Sequence, residues 1–386
     1  MVINMDYRII DDLKNIDDKF FKNIEDVREG FIDSGDDTLQ SNRFNIDKLI
    51  EKKYLNKEKL IVSKVRDLDS SIEITLSTKD TKSLPDYKAG QYIIISSYIA
   101  GNYYSRPFYI VSTNNERIDG FYRIYVLKNE DNVLANYLKK VKVNTELYVS
   151  GPYGDFTYDT VRDSNKLVYI VSNYGINAAY AMMLKILDGL VKVELHVIYT
   201  VKTYDEILYK EELEEIARKS GKITLDIVIS DEVVEGYNFG FANIDLIKKY
   251  LDKDTSIFIC GKEGLLKYLN KELEVLKLPR KQIRYENYLP RCNVKNPKKY
   301  ELQIKIQNKR IKHSCSNNQT LLDAIEDSRV VIDSISRTGK DNLCNIKILN
   351  GKVKIVNDNR NEAEKLFNLV DPANCYPNSD MKIEIV

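Results

Sequence analysis

Apolar and polar positions follow three different rhythms along the chain, and each change of rhythm marks a boundary. Through residues 1–55 the apolar positions Ile9, Leu13, Ile16, Phe20, Phe21, Ile24 and Val27 fall at loose helical spacing among Asp, Lys and Asn. That spacing predicts one or two short amphipathic helices, a structural cover or partner-docking segment. From Lys59 the rhythm becomes period two. LIVSKV, SIEITLS, QYIIISS, RPFYIVS, FYRIYVLK and ELYVS are strand candidates, separated by Pro85-Asp86, Gly90 and Asp119-Gly120, with one helical piece at Val133–Val141. Six such strands predict a small antiparallel β-barrel over residues 56–160.

After Asp163-Ser164-Asn165 the rhythm changes again. LVYIVS is a continuous apolar run, as in a strand buried on both faces. Helices Ala178–Leu190, Lys210–Arg218, Ile244–Leu251 and Glu263–Leu276 then alternate with VELHVIYT, ITLDIVI, SIFIC and QIRY. This alternation predicts a doubly wound parallel sheet over residues 161–289. Its turns at Ser172–Asn177 and Cys260–Gly264 lie at strand carboxyl ends, where such sheets bind ligands. The basic, Pro-containing stretch 290–299 reads as a linker. Over residues 300–386, YELQIKIQN and KRIKHSC form a hairpin-like pair, TLLDAIEDS a short helix, CNIKILNGKVKIV another hairpin and DMKIEIV a closing strand. That order fits a β-grasp module, and the whole reads as a multi-domain α+β and α/β protein.

Bulk properties narrow the function classes. A length of 386 residues suits two or three domains, each able to bury a core. Fifty-nine basic against fifty-eight acidic side chains leave a net charge of +1, so no nucleic-acid footprint shows. No apolar run approaches a membrane span, and the N-terminal stretch is too acidic for a signal peptide. Five cysteines without a CxxC pair point to free thiols in the cytoplasm. The two histidines, His196 in a strand and His313 in a hairpin, read as structural, so His-based catalysis is not expected.

Chemistry concentrates in NYYSRPFYIVS and SGPYGDFTY. Arg106 on a strand and the Gly151-Pro152-Tyr153-Gly154 turn offer a guanidinium and backbone N–H groups, which is what a diphosphate needs. Aromatics beside the Arg can lie against a flat heterocycle. The pairing reads as a site for a dinucleotide-type cofactor such as a flavin. Cys260 has two readings, a buried strand-end thiol and a group near a hydride donor.

The order barrel, doubly wound domain, β-grasp resembles the ferredoxin–NADP reductase superfamily, in the version ending in a plant-type ferredoxin domain. RPFYIVS resembles its Arg-x-Tyr-Ser flavin motif and GPYGDF its Gly-Pro-aromatic-Gly-x-Phe segment. SIFICG, IRYENY and YPNSDMKIEI resemble the Cys-Gly of the nicotinamide site, the reductase end and the closing ferredoxin strand. The resemblance implies FAD against the barrel, with Arg106 at its pyrophosphate and Phe108 beside the flavin and ribityl region. Pro107 and Tyr109 complete that motif, and Gly151, Tyr153 and Gly154 form the second. Gly175 and Gly261 would serve NADH or NADPH, with Cys260 the candidate catalytic thiol. The implied function is an electron-transfer oxidoreductase between a reduced nicotinamide and a protein partner.

Several positions depart from the family pattern. Tyr109 replaces a Ser or Thr, and Phe108 lacks the usual hydroxyl. The Gly-Gly-x-Gly-Ile-x-Pro turn appears as Ser172-Asn173-Tyr174-Gly175-Ile176-Asn177-Ala178, which puts side chains where a pyrophosphate approaches. In the last domain the four cluster positions carry Ser336, Asp341, Cys344 and Ala373. One thiolate of four predicts no [2Fe–2S] cluster and no metal ligand set. These departures motivate a second expectation, a catalytically degenerate paralogue serving as a structural or regulatory subunit.

Overall fold

A computed structural model describes residues 57–80, 82–287, 294–307, 309–332, 334, 337–338, 344–356, 358 and 360–385. The expected N-terminal helices lie outside these residues, as do Ser336 and Asp341.

The first domain is a six-stranded antiparallel sheet of β1 (Glu58–Asp67), β2 (Ser71–Ser77), β3 (Tyr92–Ile99), β4 (Asn102–Tyr109), β5 (Phe121–Leu127) and β6 (Glu146–Tyr153), in the order β4-β3-β6-β1-β2-β5. Alternation directs Val62, Ile74, Leu76, Ile93, Ile95 and Ile124 into one core, closed at one end by Leu134, Ala135 and Leu138 of a short helix. Pro107 is tolerated because β4 lies at the edge of the strand order, where a missing N–H breaks no ladder. Between β4 and β5 the chain forms helix α1 (Asn114–Ile118), which the hydrophobic pattern does not announce because it buries no residue. Its signal is the Thr113/Glu116 capping box. The expected helix at 133 is α2 (Val133–Leu138).

The second domain is a parallel sheet of β7 (Lys166–Ser172), β8 (Glu194–Val201), β9 (Ile223–Ile229), β10 (Asn238–Phe239), β11 (Ser256–Gly261) and β12 (Ile283–Asn287), ordered β10-β9-β8-β7-β11-β12. Its helices are α3 (Gly175–Leu187), α4 (Lys210–Lys219), α5 (Ile244–Lys248) and α6 (Glu263–Glu274). The continuous apolar character of β7 follows from its central place with helices on both faces. Helix α3 begins three residues before its expected start, and Gly175–Ile186 are all buried against the sheet.

The third domain comprises β13 (Lys299–Ile306), β14 (Lys309–Ser316), helix α7 (Leu321–Asp327), β15 (Ile346–Asn350), β16 (Val353–Ile355), helix α8 (Glu362–Leu366), β17 (Leu369–Val370), β18 (Cys375–Pro377) and β19 (Met381–Ile385). Its main sheet runs β14-β13-β19-β15-β17, with β13 parallel to β19. The expected 344–356 hairpin does not form. β15 pairs with β19 and β17, whereas β16 leaves to pair with β18. Gly351 makes the exit possible, since a Cβ there would stand 2.5 Å from the Asp380 carbonyl oxygen and its φ is +105°. All three domains belong to one compact unit, residues 57–386.

Candidate active site at the barrel–sheet junction

The carboxyl ends of β7 and β11 meet the end of β4. Tyr109 Oη lies 3.5 Å from Cys260 Sγ, and the thiol is fully buried. Tyr92 packs edge-on against Tyr109 and tilts against Tyr153, both with ring centroids 6.4 Å apart. Gly154 takes φ +103° beneath this group, and a Cβ there would meet the Tyr92 ring at 2.8 Å. Gly151 is equally left-handed at φ +121°. The turn's conformation therefore needs both glycines. Gln91 Nε2 ties it down by donating to the Gly154 carbonyl at 3.2 Å.

Phe156, two residues on, leaves the barrel and packs with Tyr169 and Phe258 of the parallel sheet, which stack face to face at 4.7 Å. Barrel residues Ala89, Val111 and Tyr125 join the same apolar cluster. The GPYGDF segment thus fixes the two domains in one orientation, and the Tyr109–Cys260 contact lies at that junction. Phe108, on the opposite face of β4 from Tyr109, is a barrel core residue, 5% exposed.

On the sheet side, Gly175 lies against the Cys260 backbone and Gly261 against the Ser172 side chain. A Cβ on Gly175 would stand 2.3 Å from the Cys260 carbonyl oxygen, and one on Gly261 2.3 Å from Ser172 Oγ. Asn173 adopts φ +51° and its Oδ1 accepts from the Tyr174 N–H at 2.9 Å. An Asn tolerates this left-handed turn with local hydrogen bonding of that kind, which is how the chain manages without the first glycines. The Tyr174 ring packs on the domain core.

Arg106 is engaged by the third domain. Its Nη1 donates to Glu326 Oε2 at 2.8 Å and to the Ser105 carbonyl at 2.8 Å, and its Nη2 donates to Asp323 Oδ1 at 3.0 Å. Arg337 shares both carboxylates, with Nη1 2.7 Å from Glu326 Oε1 and Nη2 2.5 Å from Asp323 Oδ1. Around this core Tyr104 Oη donates to Asp327 Oδ1 at 2.8 Å, and Asn102 Nδ2 to the Asp327 carbonyl at 3.1 Å. Burial works against the Arg106 charge, but Glu326 and Asp323 outweigh it and hold its pKa above the ordinary guanidinium value. Sequence reading missed Asp323, Glu326, Asp327 and Arg337. Their signal was the i, i+3, i+4 spacing of the three acids on one face of TLLDAIEDS, which reads as a solvated face without the fold.

In the third domain, Cys344 is buried and its Sγ donates to Asp371 Oδ1 at 3.5 Å. Ala373 is buried nearby, its N–H donating to the same Asp371 oxygen at 2.8 Å. Burial pushes the Cys375 thiol pKa up, and the Cys315 thiol up to about 11. Among the described residues no three His, Cys, Asp or Glu side chains gather in metal-binding geometry.

A cavity of about 340 Å³ opens at the opposite, amino ends of β7, β8 and β9, lined by Lys166, His196, Lys222 and Tyr250 among others. It lies away from the carboxyl ends where such sheets place cofactors. His196 Nε2 meets Asp226 Oδ2 at 3.0 Å, and its ring stacks on Tyr250. Burial lowers its pKa to about 4, against the opposing pull of Asp226. A lowered His pKa means the unfolded chain binds the proton first, so stability is lost as pH falls from 6.5 towards about 4. The full penalty is roughly 3 kcal/mol at ~1.4 kcal/mol per pH unit. His196→Phe should be less stable than wild type at pH 7, and that gap should narrow steadily between about pH 6.5 and pH 4 in thermal melts. A constant gap would show that His196 charges in the folded protein.

The junction joins a barrel and a parallel sheet in the manner of a flavin-dependent pyridine-nucleotide oxidoreductase. Comparison with known proteins agrees: residues 59–158 match the oxidoreductase FAD-binding domain and residues 174–271 the oxidoreductase NAD-binding domain. This chain thus carries an oxidoreductase FAD-binding domain followed by an oxidoreductase NAD-binding domain. It is 25% identical over 238 residues to a flavohemoprotein of Oceanobacillus iheyensis, covering 59% of this chain and 58% of that one. It is 27% identical over 198 residues to NADH-cytochrome b5 reductase 1 of Lodderomyces elongisporus, covering 50% and 64%. The chain thus spans less than two thirds of either relative. Phthalate dioxygenase reductase shares the fold across 85% of this chain and 97% of its own, with a TM-score of 0.65 at 13% identity. The FAD/NAD-binding domain of a Vibrio cholerae nitric oxide dioxygenase does so across 59% and 97%, with a TM-score of 0.53 at 22% identity.

The FAD-binding domain match implies FAD, and the residues present fit an anionic cofactor: Arg106 directs both terminal nitrogens at anionic oxygens, here those of Glu326 and Asp323. The Gly151–Gly154 turn and the aromatic group of Tyr92, Tyr109 and Tyr153 lie on the same domain. No helix of the described residues is long and apolar enough to cross a membrane.

Proposed function

We propose that the protein is an FAD-dependent oxidoreductase that takes electrons from NADH or NADPH and passes them to a protein partner. The carrying observation is the junction itself, where Tyr109 on the FAD-binding domain touches Cys260 on the NAD-binding domain at 3.5 Å. FAD supplies the conversion of a two-electron hydride donor into single-electron transfers. Arg106 would hold its pyrophosphate, with Pro107 and Phe108 shaping the strand beneath and Gly151, Tyr153 and Gly154 forming the opposing turn. Gly175 and Gly261 would let nicotinamide dinucleotide approach the backbone. Tyr109 and Cys260 close the junction against water and orient one another. The relatives named as NADH-cytochrome b5 reductase and flavohemoprotein support a haem protein or domain as the electron acceptor. The test is reduction of an artificial electron acceptor by purified protein with added FAD and NADH or NADPH. Background rates with both nucleotides would refute the reading.

The third domain, with its strand order β14-β13-β19-β15-β17, is read as a β-grasp module of ferredoxin type that carries no cluster, in a protein of the cytoplasm. Two features support this: Ala373 offers no ligand atom, and Cys344 is turned to Asp371 inside a hydrophobic core. A cluster of this type needs four ligands, normally thiolates. Protein purified without oxygen should contain neither iron nor acid-labile sulfide. Stoichiometric amounts of both would restore a flavin-to-iron–sulfur path.

A further inference from the structure

We propose that Glu326 and Asp323 act as an internal surrogate for the flavin pyrophosphate at Arg106, so that docking of the third domain and seating of FAD exclude one another. The proposal rests on the FAD reading above and adds a control to it.

Arg106 Nη1 and Nη2 each donate to a carboxylate of helix α7, and the side chain is 13% exposed. A phosphate needs those same donors. Glu326 is 1% exposed and sits between Arg106 and Arg337, while Asp323 Oδ1 accepts from both guanidiniums. Thr320 Oγ1 takes the other Asp323 oxygen at 2.8 Å, which fixes the carboxylate's direction. Two acids on two arginines balance in charge, so the docked state leaves no net positive charge to attract a diphosphate. Glu130 adds a further negative field at Arg106. When the third domain leaves, Glu326, Asp323 and Arg337 leave together with a net charge of about −1, and Arg106 alone stays on the barrel as the anion site. Apparent affinity for FAD is then the intrinsic affinity reduced by the fraction of molecules undocked.

The test is equilibrium dialysis of the full-length protein against FAD and, separately, riboflavin, which has no phosphate. Asp323→Asn with Glu326→Gln should tighten FAD binding at least tenfold and leave riboflavin binding unchanged. Asp323→Asn alone, which leaves Glu326 on both guanidiniums, should shift FAD in the same direction by a smaller factor. Adding Arg106→Ala to the double variant should abolish the gain. If wild type binds FAD and both variants bind it no tighter, the surrogate is refuted and the cofactor reading stands. Equal gains for FAD and riboflavin would also refute it, because the substitutions would then merely loosen the domain. FAD bound by none of the proteins would overturn the cofactor reading and the surrogate with it.

Discussion

Glu326→Ala should be the most damaging single substitution in the third domain, lowering stability by roughly 3–5 kcal/mol, the range for breaking a buried ion pair by removing one partner. The residue is 1% exposed and accepts from Arg106 Nη1, both terminal nitrogens of Arg337 and the Ser105 N–H. Its loss leaves two buried guanidiniums with Asp323 as their remaining carboxylate. Chemical denaturation followed by domain-specific probes should show the third domain unfolding early, with the barrel and parallel sheet little changed. Glu326→Gln, which keeps the shape and an acceptor oxygen, should cost distinctly less. Equal costs for the two variants would mean that packing, not charge, holds this contact.

Gly175→Ala should strike the other half of the junction. The new Cβ would fall 2.3 Å from the Cys260 carbonyl oxygen and 2.8 Å from its carbon, both backbone atoms. Backbone yields poorly, so α3 and the end of β11 must separate. The expected cost lies at the upper end of ~1–3 kcal/mol for overpacking. The same movement spoils the turn at which a dinucleotide would approach, so affinity for NADH should fall at least about tenfold, equivalent to ~1.4 kcal/mol. Gly264→Ala is the control, because nothing lies within 4 Å of its Cβ. Wild-type nucleotide affinity in Gly175→Ala would place the binding turn elsewhere.

Most of the architecture was legible because burial writes itself into the sequence as period. The alternation of β1 and the unbroken apolar run of β7 reflect one-sided and two-sided burial. What failed to show was structure with no apolar signature or with non-local pairing. Helix α1 buries nothing and declares itself only through Thr113 and Glu116. β15 and β16 look like a hairpin across Asn350-Gly351, yet each pairs with strands later in the chain. The site was half legible in the same sense. Arg106, Tyr109 and Cys260 could be picked out as residues, but that Tyr109 reaches Cys260 across 151 positions is a tertiary fact. The acids on α7 were the hardest, since Asp323 and Glu326 are 217 and 220 positions from Arg106 and resemble any solvated helix face.

The most direct measurement of the central claim is an anaerobic titration of FAD-reconstituted protein with NADH and with NADPH, followed by the visible absorbance of the flavin. One of the two nucleotides should bleach that absorbance at about one equivalent per FAD, since a hydride carries the two electrons a flavin accepts. Retained FAD that neither nucleotide bleaches, even in large excess, would contradict the account.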